Sequence, residues 1–110
     1  MQINVLAEKL GWKLLTTCDG SDRTAEGCYC GDLLSWVMGR AKADDVWLTV
    51  MGNINAIAVA ALADVSAIVL VESSVLDADA LMRANQQEIA VYSTDVPAYE
   101  TALQIAQALQ

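Results

Sequence analysis

The chain has 110 residues, of which 55% are apolar, and its 14 acidic and 6 basic side chains give a net charge of −8. This length predicts a single domain over residues 1–110, and the apolar content excludes a disordered chain. The negative charge argues against a nucleic-acid partner, and the complete absence of histidine removes the commonest general base and metal ligand, so we expect no enzymatic activity.

In the first third of the chain, apolar residues at helical spacing predict a helix over 3–10 that ends at Gly11. Residues 12–17 have the composition of a strand, and the polar stretch that follows is typical of a loop. A second helix is expected over 33–41, with Asp32 as its capping residue.

The remainder of the chain alternates regularly between strand and helix. The last helix carries Pro97 in its first turn, where the missing N–H costs little. We expect that helix to bury Tyr99, Ala102, Leu103, Ala106 and Leu109. The earlier elements predicted here are strand 46–51, helix 54–63, strand 66–71, helix 77–86 and strand 89–92.

This order of elements predicts an α/β fold with a mostly parallel central sheet between helical layers, an α/β/α arrangement. The apolar runs at 47–51 and 67–71 do not alternate in polarity, as expected for strands covered on both faces. The helix over 54–63 is apolar nearly all round, so it is either packed inside the domain or part of a subunit interface, and a homodimer is expected.

Three small, polar strand-to-helix turns should lie together, because ligands of open parallel sheets bind outside the carboxyl ends of the strands. Backbone N–H groups in such turns can hold a phosphate or carboxylate, although the same residue types also serve as ordinary helix caps. Glu72 and Asp95 would repel an anion, so a hydroxyl- or amine-bearing ligand is equally consistent. The predicted ligand-binding residues are Gly52, Asn53, Asn55, Glu72, Ser73, Ser74, Ser93, Thr94 and Asp95.

Three cysteines form the second candidate site. On an extended segment Cys28 and Cys30 would present both thiols on one face, and Cys18 is expected to approach them. Three thiolates are one ligand short of a zinc or iron–sulfur site, and Asp19, Asp32 or a second subunit would have to supply the fourth. The alternative is that the cysteines are small, buried apolar residues, in which case no cofactor is expected.

The sequence also bears on cellular location. The N-terminal residues lack the basic start and long apolar run of a signal peptide. The most apolar stretch, 56–71, is too short to span a bilayer as a helix and contains Asp64 and Ser66. An odd number of cysteines does not suggest export, so we expect a cytoplasmic protein without a membrane partner.

The segments 48–55, 67–71 and 89–95, together with the helical pieces 58–61 and 99–102, resemble the DRTGG domain family. That family is similar to the N-terminal domain of HPr kinase/phosphorylase, and the resemblance covers roughly residues 12–109. It implies an α/β domain with a regulatory or ligand-binding role, often dimeric. Kinase chemistry is not expected, because no lysine of this chain follows a glycine as a P-loop requires.

The segment Gly-Cys-Tyr-Cys-Gly-Asp at residues 27–32 is similar to one in short, stand-alone members of the same family. Those members accompany iron-only hydrogenase or related redox proteins. The resemblance therefore implies a redox or metabolic enzyme as a possible partner, and an alternative function as a cysteine-based metal, iron–sulfur or redox accessory protein.

Overall fold

The computed structural model covers residues 1–110 and contains five helices and five strands, which alternate from β2 onward. The layered α/β/α prediction is confirmed. The helices are α1 (Ile3–Leu10), α2 (Leu34–Arg40), α3 (Ile54–Ala63), α4 (Ala78–Gln86) and α5 (Ala98–Ala108), and the strands are β1 (Lys13–Leu14), β2 (Gly27–Cys30), β3 (Asp45–Thr49), β4 (Ala67–Leu70) and β5 (Val91–Ser93).

The five strands form one sheet in the order β1-β5-β4-β3-β2. Strands β2 to β5 pair in parallel, and only β1 is antiparallel, to β5. The carboxyl ends of the four parallel strands therefore share one side of the sheet, here called the carboxyl edge, and the opposite side is called the amino edge. Strands β1 and β2 lie at the two ends of the sheet, as far apart as the topology allows.

A separate apolar core covers each face of the sheet, because successive strand residues point to opposite sides. Helices α1 and α5 pack on one face, where Val46, Leu48 and Val69 belong to their core. Helices α2, α3 and α4 pack on the other face, against Trp47, Ile68 and further strand residues. Full burial of β3 and β4 confirms that both are covered on two sides.

The bounds of α3 agree with the sequence prediction because both of its ends carry local stop signals. The Asn53 side chain accepts a hydrogen bond from the Ala56 N–H at its start. Asp64 takes a left-handed conformation at its end. The outer surface of α3 is apolar, and its Leu62 side chain is 72% exposed.

Two predicted elements differ from the structure. The first strand is confined to Lys13–Leu14, much shorter than residues 12–17. Helix α5 buries Thr101 and Ile105. Of the residues predicted to be buried, Tyr99, Leu103 and Ala106 are exposed, whereas Ala102 and Leu109 are partly buried against the core. No helix here could cross a bilayer, the longest having 11 residues.

Candidate functional site

The three predicted turns meet at the carboxyl edge, where backbone hydrogen bonds join them. The Ser73 N–H donates to the Thr94 carbonyl at 2.9 Å, which links the turns after β4 and β5. The Asp77 N–H donates to the Gly52 carbonyl at 2.8 Å, which ties the start of α4 to the turn after β3. These N–H groups are used inside the protein, so they are not available to an anion.

Several predicted ligand-binding side chains are also engaged locally. Asn53 caps α3, Thr94 Oγ1 accepts from the Val96 N–H at 3.2 Å, and Ser74 Oγ donates to the Val71 carbonyl at 2.8 Å. The structure therefore gives Asn53 the capping role that the sequence left open, whereas Thr94 and Ser74 form hydrogen bonds within their own turns. Of the other predicted residues, Asn55, Glu72, Ser73 and Asp95 are exposed, Ser93 is half-buried and Gly52 is buried.

Gly52 has a packing role in the turn after β3. A Cβ atom at this position would lie 1.9 Å from the Val75 carbonyl oxygen, so no larger residue fits without movement of the backbone. The turn after β4 is also constrained, because Glu72 and Ser73 both have positive φ angles, of 56° and 57°. The carboxyl edge is thus a tightly packed set of turns.

A cavity of about 240 Å³ opens at this edge, between the ends of β2, β3 and β4 and the beginning of α5. Of the nine predicted ligand-binding residues, only Glu72 lines it. The lining residues are Cys30, Gly31, Asp32, Leu48, Thr49, Val50, Val71, Glu72 and Ala98.

Asp32 is the best-positioned polar group of the cavity. Its Oδ1 accepts from Thr49 Oγ1 at 2.7 Å and from the Val50 N–H at 3.0 Å. The prediction that Asp32 caps α2 is wrong, since Leu33 takes the capping position and the carboxylate turns toward β3. Both bonds use one oxygen, so the carboxylate is held in place with its second oxygen free to receive a donor.

The charge of this cavity is negative. Asp32 and Glu72 both line it, whereas no lysine or arginine does. The two salt bridges of the structure both belong to Arg23, at the amino edge. An anionic ligand is therefore disfavoured here, and a cationic or hydroxyl-bearing ligand is favoured.

Cys28 and Cys30 lie on the same face of β2, as the alternation of strand side chains predicts. Cys28 packs against the core under α1 and α5, whereas Cys30 is exposed and lines the cavity. A hydrogen bond from the Cys28 thiol lowers the pKa of Cys30 to about 7. Burial and the negative charge of Asp32 act in the opposite direction and raise this pKa. The same hydrogen bond, then burial and nearby negative charge, raises the pKa of Cys28.

Cys18 does not join this pair, contrary to expectation. Strand β1 is antiparallel and leads the chain to the amino edge, where Cys18 lines a different cavity. Cys28 and Cys30 lie on the strand at the other end of the sheet. No group of three or more cysteine, aspartate or glutamate side chains is arranged to hold a metal ion.

The amino edge has a cavity of its own, of about 220 Å³. Arg23 lies at its wall and donates to Asp44 Oδ1 and to the Asp64 carbonyl, both at 2.8 Å. It also forms an ion pair with the Asp64 carboxylate at 3.1 Å. Arg23 and Asp64 thus satisfy one another, whereas Glu88, which also lines this cavity, forms no ion pair.

Comparison with known proteins adds no functional assignment. No model of a known protein family matches the sequence, and no curated protein matches it.

Proposed function

We propose that this protein is a non-catalytic ligand-binding module of the DRTGG type, with a regulatory role in the cytoplasm. Its ligand is a small amine- or hydroxyl-bearing molecule, held in the cavity at the carboxyl edge. The observation that carries this proposal is the fixed, unneutralised carboxylate of Asp32, bound by Thr49 and Val50 at the rim of that cavity.

The position of the cavity supports the proposal, because open parallel sheets bind ligands outside the carboxyl ends of their strands. Its volume of about 240 Å³ suits a small metabolite better than a nucleotide. With Asp32 and Glu72 at the rim, a protonated amine or a hydroxyl group would donate to the carboxylates, while the apolar wall of Leu48 and Val71 would contact its carbon skeleton.

A thermal-shift screen with polyols, amino sugars, amino acids and diamines, followed by calorimetric titration of the compounds that stabilise the protein, tests this proposal. Asp32→Asn should weaken binding at least about tenfold, since one charge-assisted hydrogen bond is lost. The amide oxygen still accepts from Thr49 and Val50, so the fold should be retained.

Two charge-matched controls locate the site. Asp95→Asn removes a charge from the same edge but outside the cavity, and Asp22→Asn removes one from the amino edge. Both should bind within about twofold of the wild type. Loss of binding in Asp95→Asn with none in Asp32→Asn would place the ligand on the turn after β5 and contradict the proposed cavity.

We further propose that the chain forms a homodimer through the outer surface of α2, α3 and α4. Large apolar side chains are exposed on all three helices: Trp36 is 53%, Leu62 72% and Met82 64% exposed. Light scattering at micromolar concentration should give a dimer for the wild type and a monomer for Leu62→Lys. Val5→Lys, on the opposite layer, should stay dimeric, and a monomeric wild type would refute the dimer.

A further inference from the structure

The placement of Cys28 and Cys30 on one face of β2 has a chemical consequence separate from the proposed ligand. We propose that the two residues form a redox-active dithiol that reduces small disulfides, with Cys30 as the attacking thiolate and Cys28 as the resolving thiol. The inference rests on the placement of the pair on β2 and holds whether or not the cavity binds a metabolite.

Geometry gives the two thiols different roles. Residues two apart on a strand point to the same face, and their Cα atoms are separated by about 6.6 Å. That Cα separation is near the upper limit of about 6.8 Å for a disulfide, and the Cβ atoms must approach to about 4 Å, so β2 has to bend between the two residues. β2 is the last strand of the sheet and pairs only with β3, so one of its sides is free of strand hydrogen bonds that would oppose this bend.

Exposure decides which sulfur reacts first. Cys30 is exposed at the rim of the cavity, where a small disulfide has access to it, whereas Cys28 is half-buried against the core. The Cys28 thiol donates a hydrogen bond that lowers the pKa of Cys30 to about 7, so a large share of Cys30 is thiolate at neutral pH. The charged groups around the pair are Asp32, Asp45 and Glu72, all acidic.

The exchange balances in two steps. The Cys30 thiolate attacks a disulfide RSSR, which forms a Cys30–S–S–R bond and releases RS⁻. Loss of the negative charge on Cys30 removes the main cause of the raised Cys28 pKa. Cys28 then gives its proton to solvent or to RS⁻ and attacks the Cys30 sulfur, which releases the second RS⁻. Two electrons pass from the dithiol to RSSR, and the products are a Cys28–Cys30 disulfide and two thiols.

Glutathione disulfide is a suitable probe, with mass spectrometry of tryptic peptides after acid quenching as the readout. Cleavage after Lys13, Arg23 and Arg40 separates Cys18, in peptide 14–23, from the pair, in peptide 24–40. In the wild type, peptide 24–40 should lose two hydrogen atoms and carry no glutathione. Peptide 14–23 should react at least about tenfold more slowly.

Three serine variants separate the roles. Cys28→Ser should accumulate a stable mixed disulfide on Cys30, Cys30→Ser should react at least about tenfold more slowly, and Cys18→Ser should behave like the wild type. Failure of Cys28→Ser to form the mixed disulfide, or an unchanged rate in Cys30→Ser, would overturn the proposal.

A measurement on the wild type alone does not depend on any variant folding. The alkylation rate of Cys30 by iodoacetamide should reach half of its maximum near pH 7. In Cys28→Ala the midpoint should move to higher pH, because alanine cannot donate a hydrogen bond to the Cys30 thiolate. A wild-type midpoint at the ordinary thiol pKa of 9.0 would contradict the proposed thiolate.

Discussion

Both edges of the sheet have cavities: one of about 240 Å³ at the carboxyl edge, and two at the amino edge, of about 220 Å³ and about 450 Å³. The larger amino-edge cavity is lined by Asp19, Asp22 and Glu88. At the amino edge, Arg23 is paired with Asp44 and Asp64. At the carboxyl edge, the carboxylates of Asp32 and Glu72 face the cavity without a cation. Unpaired carboxylates occur at both edges, so the proposed ligand site rests on the fixed position of Asp32, whose Oδ1 accepts from Thr49 and Val50.

The largest expected effect comes from Gly52→Ala at the carboxyl edge. Its Cβ would lie 1.9 Å from the Val75 carbonyl oxygen, so the turn or the segment before α4 must move. We expect the free energy of unfolding to fall by about 3 kcal/mol in urea denaturation. Gly39→Ala is the control, because nothing lies within 4 Å of its Cβ. Equal stability of the two variants would show that the carboxyl edge is not closely packed.

Arg23→Ala tests whether the charges of the amino edge serve stability. It removes two charge-assisted hydrogen bonds and leaves Asp44 and Asp64 without their cation. The free energy of unfolding should fall by about 2 kcal/mol, while ligand binding at the carboxyl edge stays unchanged. Arg83 is an exposed arginine in α4, and Arg83→Ala should change the free energy of unfolding by less than about 0.5 kcal/mol. Loss of ligand binding in Arg23→Ala would move the site to the amino edge.

Asn53→Ala distinguishes a helix cap from a ligand-binding residue. The Asn53 side chain accepts from the Ala56 N–H at 2.9 Å, so alanine should lower the free energy of unfolding by about 1 kcal/mol. Ligand affinity, measured by calorimetry well below the melting temperature, should not change. A loss of affinity without a loss of stability would restore Asn53 as a binding residue.

The smallest expected effect is a change in the contribution of Tyr92 to the free energy of unfolding, and it occurs only in alkaline solution. Burial, then the negative charges of Asp19 and Cys18, raises the pKa of Tyr92 to about 12 from its ordinary 10.0. The unfolded chain therefore loses this proton first, and the stability that Tyr92 contributes is present below pH 10 and lost as the pH rises toward 12. The difference in unfolding free energy between wild type and Tyr92→Phe should shrink over that range. A difference in unfolding free energy that does not change with pH would refute the raised pKa of Tyr92.

Local signals were sufficient to predict much of the fold but only part of the site. Helix α3 was predicted with its observed bounds because Asn53 starts it and a break follows Ala63. The face of α5 was predicted incorrectly because two neighbouring rows of the helix are apolar, and only the sheet selects the row with Ile105. Strand order, which separates Cys18 from the cysteine pair, depends on contacts distant in sequence.

The sequence does contain a signal for Asp32 as a residue of the carboxyl edge. The same rule that drew attention to the turns after β3, β4 and β5 applies to β2, whose carboxyl end is followed by Gly31 and Asp32. The sequence indicates an extended segment at residues 28–30 but does not by itself show that this segment pairs in the parallel sheet. As a fourth parallel strand, the segment places Asp32 beside Thr49 at the carboxyl edge.

The most direct test is a map of backbone amide chemical shifts in an isotope-labelled sample, titrated with a compound from the thermal-shift screen. The proposed site predicts the largest changes at residues that line the carboxyl-edge cavity, namely Asp32, Val50 and Glu72. Changes centred on Arg23, Ser66 and Glu88, which line the amino-edge cavity, would contradict it.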